Sequence, residues 1–220
     1  MLRQLPVWVL VGSVMLALNA GYINSVALLS FANNAVSHVT GTATIAADAA
    51  TRADWGVLLH TGAIVFSFIF GAVLSGMIVG NEALKLGRRY GLALLLESLL
   101  LFLAWYAFRN HIDQAEWLAS VACGLQNAMV ATFSGSVIRT THLTGIVSDI
   151  GSAIGNFLVG RGLLKVQLAL QTAIFVSFVG GAAIGAVSFR SFNYDAVLLN
   201  GLWVALVGLA YIFLIRQRAE

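Results

Sequence analysis

The sequence carries few charges, and this scarcity decides its broad class. Only 10% of the 220 residues are charged and 60% are hydrophobic, whereas a soluble domain has about 25% charged residues. A chain this apolar cannot cover a water-facing surface, so the lipid bilayer must be its main solvent. The net charge of +3 is small and scattered along the chain, which predicts no nucleic-acid-binding surface.

Cysteine, proline and catalytic motifs are almost absent as well. Pro6 is the only proline. Cys123 is the only cysteine, so the chain can form neither an internal disulfide nor a cysteine-based metal cluster. The chain has no nucleophile elbow, phosphate loop or zinc-protease motif. A metal ion would find only three candidate ligands, His38, His142 and Asp149, and their spacing does not match a known metal-binding motif. We therefore predict no enzyme, no metal site and no cofactor.

Long apolar runs are what the sequence does have. A membrane-spanning helix needs about 20 apolar residues at about 1.5 Å each, and backbone in lipid must be helical because its polar groups need internal partners. Six runs qualify as spans: Val7–Phe31, Trp55–Val79, Tyr90–Phe108, Ala115–Phe133, Val166–Phe189 and Ala196–Ile215. Residues 37–50 and 141–159 predict short, partly polar, re-entrant-like helices, which need protein or water around them.

The basic residues favour six spans with both termini in the cytoplasm. Nine of the twelve would then lie inside and three outside, which are Arg52, Arg109 and Arg190. If the two short segments also crossed, the division would be seven inside and five outside, with Lys85, Arg88 and Arg89 outside. The six-span arrangement agrees better with the excess of positive charge found in cytoplasmic loops.

The two halves of the chain resemble each other. In the same order, residues 21–24 match 124–127, 38–41 match 142–145, 67–71 match 177–181, and Tyr106 matches Tyr211. We therefore predict an all-α membrane protein built from two repeats, 1–110 and 111–220, each with three spans and one short helix. Because three is odd, the second repeat is inverted, giving a 3+3 inverted repeat with its site near the membrane midplane.

The strongest candidate site residues form two His-x-Thr-Gly motifs. Histidine can donate, accept or carry a proton, threonine adds a hydroxyl, and glycine allows close approach of a ligand or a partner. In the alternative interpretation, the histidine and threonine only satisfy backbone groups at a helix start. The motif residues are His38, Thr40, Gly41, His142, Thr144 and Gly145.

Polar residues inside the spans are the second group of candidates. Asn24, Asn127 and Gln126 lie beside glycines in the middle of apolar runs; the alternative role is interhelical hydrogen bonding, which contributes about 0.6 to 2 kcal/mol. Glu97 lies deep in the third run, with Asn200 at a corresponding depth in the last. A central charge costs about 2.5–3.5 kcal/mol, so we expect Glu97 to face the interior, be protonated or be paired.

That position makes Glu97 a candidate for proton coupling or cation binding, or alternatively a neutral carboxyl bonded to a neighbouring helix. Asp149 follows His142 by seven residues, which puts both on one helical face. Asp48 precedes Arg52 by four residues, a spacing that favours a plain ion pair. His60, at the start of the second span, reads as a satisfied interfacial histidine.

Four short segments of the chain resemble the YoaK-like family of bacterial membrane proteins: Gly21–Asn24, His38–Gly41, Gly124–Asn127 and Arg139–Gly145. The resemblance covers nearly the whole chain and implies a bacterial inner-membrane protein, but it supplies no substrate. The family often has an acidic residue where this chain has Asn24, and asparagine where it has Thr42. If that acid couples protons in relatives, this chain either lacks the coupling or uses Glu97 for it.

The leading hypothesis is a small-solute transporter or channel. The histidines and threonines would contact a small polar solute or ion, while Glu97 would balance charge or carry a proton. The second hypothesis is a membrane scaffold, sensor or partner subunit in which the polar motifs hold helices together, and the third is an intramembrane enzyme. A homodimer is plausible, because 23.3 kDa is small for a complete pathway.

Overall fold

A computed structural model describes residues 7–30, 36–80, 87–133, 139–162 and 165–217. These segments contain eight α-helices and no strand. The helices are α1 Val7–Leu29, α2 Val39–Thr51, α3 Trp55–Val79, α4 Arg88–Arg109, α5 Ala115–Phe133, α6 Leu143–Leu158, α7 Lys165–Phe192 and α8 Asp195–Gln217. The six long apolar runs and the two short segments are therefore helical, close to the predicted bounds.

Five helices are long and apolar enough to cross a membrane: α1, α3, α4, α7 and α8. The chain is thus a helical membrane protein. α5 has 19 residues but is less apolar, since it carries Glu116, Gln126 and Asn127. Most of its side chains are buried by other helices, which explains why polar residues are tolerated there. Its crossing of the membrane, as a sixth span, stays a prediction.

The two short helices differ from the spans in length. α2 has 13 residues and α6 has 16, which correspond to about 20 Å and about 24 Å at 1.5 Å per residue. Neither length reaches across a hydrocarbon core of about 30 Å. α2 packs on α3, and α6 packs on α7.

Two pairs of parallel helices are held together by glycines. α1 lies against α7, where an added Cβ on Gly21 would come within 2.0 Å of the Phe178 carbonyl oxygen. α3 lies against α5, where an added Cβ on Gly124 would come within 2.0 Å of the Phe68 carbonyl oxygen. Only glycine permits this approach of one backbone to another, as is common between membrane helices.

The remaining long pair, α4 and α8, is antiparallel. The Ser98 hydroxyl donates to the Gly201 carbonyl oxygen at 2.9 Å. Trp105 Nε1, near the C-terminal end of α4, donates to Oδ1 of Asp195, the first residue of α8, at 2.9 Å. α5 packs on α4, and α1 touches both α5 and α8. The helices α1, α4, α5 and α8 therefore meet at the centre, with α3 and α7 outside them.

These pairings give the long helices alternating directions. α4 and α5 are joined by a short turn at residues 110–114, and α7 and α8 by a turn at 193–194, so each of these pairs is antiparallel. Combined with the parallel α1–α7 and α3–α5 pairs, this places α1, α4 and α7 in one direction and α3, α5 and α8 in the other.

Candidate functional site

Four polar side chains meet where the central helices converge, one from each of α1, α4, α5 and α8. Asn19 Nδ2 donates to Glu97 Oε1 at 2.9 Å and to Gln126 Oε1 at 3.2 Å. Asn200 Nδ2 donates to Asn19 Oδ1 at 2.7 Å, and Gln126 Nε2 donates to the Leu16 carbonyl oxygen at 2.6 Å. None of the four side chains in this central cluster, Asn19, Glu97, Gln126 and Asn200, is more than 4% exposed.

Two acceptor atoms of the central cluster are left unsatisfied. Glu97 Oε2 and Asn200 Oδ1 are both buried, and neither has a hydrogen-bond partner among the described residues. An acceptor left unsatisfied in the interior costs about 1–3 kcal/mol, and more for a charged group. Within the described part of the chain, Glu97 also forms no ion pair. These two oxygen atoms are therefore the places where a further donor or a positive charge would be stabilised.

Asn19 is the member of the central cluster that the sequence analysis missed. Glu97 lies in the interior, as expected, and Asn200 lies near it, but Asn19 is the side chain that joins them. Its signal in the sequence was a second amide inside the first apolar run, five residues before Asn24. Gln126, predicted as a site residue, also belongs to the central cluster.

The histidines of the two motifs occupy equivalent positions. His38 precedes α2 with φ −95° and ψ 59°, and His142 precedes α6 with φ −89° and ψ 57°. An added Cβ on Gly41 would lie 2.8 Å from His38 Nδ1, and one on Gly145 would lie 2.5 Å from His142 Cε1. The glycine of each motif thus makes room for the histidine ring. Neither ring caps its helix by a hydrogen bond.

Asn24 and Asn127 tie down the residue before each histidine. Asn24 Oδ1 accepts from the Ser37 hydroxyl at 2.8 Å and from the Ser37 backbone N–H at 3.2 Å. Asn127 Oδ1 accepts from the Thr141 hydroxyl at 3.0 Å. Both asparagines lie more than one turn before the end of their own helix. Each short helix therefore starts beside the body of a long helix and not beyond its end.

The start of α2 also contacts a helix of the other half. The Ser120 hydroxyl of α5 donates to the Val36 carbonyl oxygen at 3.2 Å and to the Ile64 carbonyl oxygen of α3 at 2.9 Å. Val36 is buried. The segment that leads into the first motif is consequently packed against the interior of the helix bundle.

The two motifs are not brought together within the chain. His38, Thr40, His142 and Thr144 are exposed, and α2 and α6 make no contact with each other in the described ranges. The physical reason is that each short helix packs on a different outer helix, with the central helices between them. A single site formed by both motifs is thus not seen in one chain.

Asp149 lies beside a small cavity at the start of α7. Its Oδ2 accepts from Gln171 Nε2 at 2.7 Å. The cavity has a volume of about 150 Å³ and is lined by Asp149, Ser152, Ala153, Asn156, Gly162 and Gln167. A carboxylate beside hydroxyl and amide groups can form hydrogen bonds to a small polar molecule. Asp149 therefore remains a candidate site residue.

A second buried carboxylate ties α3 to the start of α5. Glu116 is 0% exposed, and its Oε2 lies 2.8 Å from His60 Nε2. His60 therefore has a hydrogen-bond partner, as we expected for an interfacial histidine. Asp48 pairs with Arg52, as predicted. Among the residues that the structure describes, no group of three or more histidine, cysteine or acidic side chains is placed to hold a metal ion.

The chain matches a protein family described as "Protein of unknown function (DUF1275)" over residues 12–215. The chain belongs to this family. YoaK-like proteins are members of it, so the resemblance seen in the sequence is confirmed. No curated protein and no solved structure matches the chain.

Proposed function

We propose that this DUF1275 member is a small-solute transporter or channel of the bacterial inner membrane. The observation that carries the proposal is the central cluster, which buries Glu97 and two unpartnered acceptor atoms where four helices meet. Ionisable groups inside membrane proteins are costly, and they typically mark a substrate or ion pathway. A purely structural cluster would have its acceptors satisfied.

The proposed architecture is a 3+3 inverted repeat with α5 as the sixth span and both termini in the cytoplasm. If each helix is replaced by its counterpart in the other half, the Gly21–Phe178 contact becomes the Gly124–Phe68 contact. In both contacts an added Cβ on the glycine would lie 2.0 Å from the phenylalanine carbonyl oxygen. The same replacement turns the α2–α3 pair into α6–α7 and the α1–α8 pair into α4–α5, all of which are in contact. The antiparallel α4–α8 pair would lie on the symmetry axis in the membrane plane.

In this architecture the short helices are re-entrant and enter from opposite faces. The Asn24–Ser37 and Asn127–Thr141 hydrogen bonds support it, because they hold the start of each short helix at the depth of a long helix. His38 and Thr40 would meet the solute on the outer side, and His142 and Thr144 on the cytoplasmic side. Glu97 would lie between the two approaches.

The proposal is tested by flux into proteoliposomes. Shrinkage and re-swelling would be followed by light scattering after challenge with glycerol, urea, glycine or sodium formate. We expect at least one probe to enter faster than in protein-free vesicles, with His142→Ala reducing the rate tenfold or more. His111→Ala, in the turn before α5, is the matched histidine control and should keep the rate. Folded protein that passes none of the probes would favour the second candidate.

The second candidate is a scaffold or partner subunit, and the exposure of the two motifs favours it. His38, Thr40, His142 and Thr144 face outward from the single chain, where polar side chains in lipid would require a covering partner. A second copy of the chain is the simplest such cover, as expected from the size of the protein. The mass of the protein in nanodiscs, measured by light scattering, distinguishes one copy from two.

A further inference from the structure

We propose that Glu97 and Asn200 form an exchangeable binding site for one monovalent cation, either a proton or an alkali-metal ion. The assignment rests on the proposed function, because it names the ion held by the same central cluster. It concerns binding, which can be measured without any solute or gradient.

The hydrogen bonds of the central cluster leave two buried oxygen atoms without a partner in the described ranges. Each amide nitrogen donates within the bundle: Asn19 Nδ2 to two acceptors, Asn200 Nδ2 to Asn19, and Gln126 Nε2 to a backbone carbonyl. The two atoms left over, Glu97 Oε2 and Asn200 Oδ1, are both acceptors. Both side chains bond to the same Asn19 amide, one at each end. A cation between them would satisfy both atoms and neutralise the carboxylate.

The charge of the central cluster selects a monovalent ion. It holds one carboxylate and three neutral amides, so one positive charge balances it, whereas a divalent ion would leave a net charge buried in the bundle. All its ligand atoms are oxygens, which suit hard cations and not the softer transition metals. A proton would bind to Glu97 Oε2 from water and return to water on release.

No other charged side chain that the structure describes competes for this position. On the three neighbouring helices, the ionisable side chains that the structure describes are Tyr22 on α1, Glu116 and Cys123 on α5, and Asp195 and Tyr211 on α8. Glu116 is bound to His60, and Asp195 to Trp105 and Arg109. The Tyr22 hydroxyl donates to the Ala196 carbonyl oxygen. Cys123 is a free, buried cysteine.

The first arm of the test measures alkali-metal binding. Purified protein in nanodiscs is melted in NaCl, LiCl, KCl or N-methyl-glucamine chloride at one ionic strength and one pH. A bound cation stabilises the folded state, so Na⁺ or Li⁺ should raise the melting temperature by about 5 °C at saturating concentration. Glu97→Gln should abolish the rise. Asp48→Asn, which removes an exposed carboxylate from α2, is the matched control and should keep it.

The second arm measures proton binding. The carbonyl stretch of a protonated carboxylic acid is followed by infrared difference spectroscopy as the pH is varied over the range in which the protein is folded. If the ion is a proton, wild-type protein should show a band that appears and disappears reversibly, and Glu97→Gln should lack it. The Asn200→Ala variant keeps the carboxyl and should shift the midpoint of the titration, which covers the case in which Glu97→Gln fails to fold.

Three results decide the assignment. An alkali-dependent melt supports a metal ion, and a reversible carboxyl band supports a proton. Melting that is equal in all four salts, together with a Glu97 carboxyl that never titrates, would identify a permanently neutral structural acid and overturn the site. Because neither arm measures flux, vesicles that pass no solute would refute transport while leaving the cation site standing, and the reverse also holds.

Discussion

Asn19 on α1 donates a hydrogen bond from its Nδ2 to Oε1 of Glu97 on α4, at 2.9 Å, with both side chains 1% exposed. The same amide also joins α5 through Gln126 and α8 through Asn200. One neutral side chain therefore connects an ionisable group to three other helices. It is the centre of the polar cluster, and its hydrogen bonds to Gln126 and Asn200 join the first half of the chain to the second.

Replacing Asn19 with Leu should weaken the helix bundle. The change removes two donated bonds and one accepted bond, and it leaves the Glu97 carboxyl without its donor. At about 0.6 to 2 kcal/mol for each of the three interhelical hydrogen bonds, we expect a loss of about 2 to 6 kcal/mol in the free energy of unfolding. Steric-trapping measurements in bicelles would report it. Asn156→Leu, at an exposed position of α6, is the control and should change stability little.

Two adjacent glycines on α7 should respond in opposite ways to alanine. An added Cβ on Gly181 would come within 1.9 Å of the Leu18 carbonyl oxygen, whereas an added Cβ on Gly180 meets nothing within 4 Å. Gly181→Ala must push α1 and α7 apart, and we expect little folded protein. Gly180→Ala should be neutral or stabilising by up to about 1 kcal/mol, the helix propensity difference. Monodisperse yield and melting temperature measure both, and equal behaviour would contradict the packing described.

Gly145→Ala should displace the His142 ring without unfolding α6. The added methyl would lie 2.5 Å from His142 Cε1, so the ring must rotate away. We expect His142 to change its rate of modification by diethyl pyrocarbonate, and solute flux to fall if the ring contacts the solute. Gly151→Ala lies on the same helix with nothing within 4 Å and should leave both properties unchanged. An unaltered His142 in Gly145→Ala would show that the ring does not depend on the glycine.

Cysteine labelling should find the segments around Arg88 and Arg161 on one side of the membrane. The native Cys123 is buried, so a single introduced cysteine can be followed against a low background. In the proposed topology, Arg88→Cys and Arg161→Cys react with a membrane-impermeant maleimide only in inside-out vesicles. Asp113→Cys, in the turn between α4 and α5, reacts only in right-side-out vesicles. Labelling of Arg88→Cys and Arg161→Cys from different sides would rule out the inverted repeat.

The bounds of the helices were predictable because they follow from local properties. The length of each apolar run, compared with the thickness of the bilayer, predicted α3 and α5 with the bounds that the structure has, and the other long helices within a few residues. The Ser67–Gly71 and Ser177–Gly181 match was also visible in the sequence. Its reason was not, since the carbonyl that each glycine approaches belongs to a distant helix.

The sequence by itself determined that the chain is a helical membrane protein with a buried acid and two histidine motifs. These features depend on composition and on residues a few positions apart. Only the tertiary structure decided the partner of that acid, because Asn19 and Glu97 are 78 residues apart in the chain. It also decided that the two motifs lie on separate outer helices, since packing between distant helices places them and no local pattern records that choice.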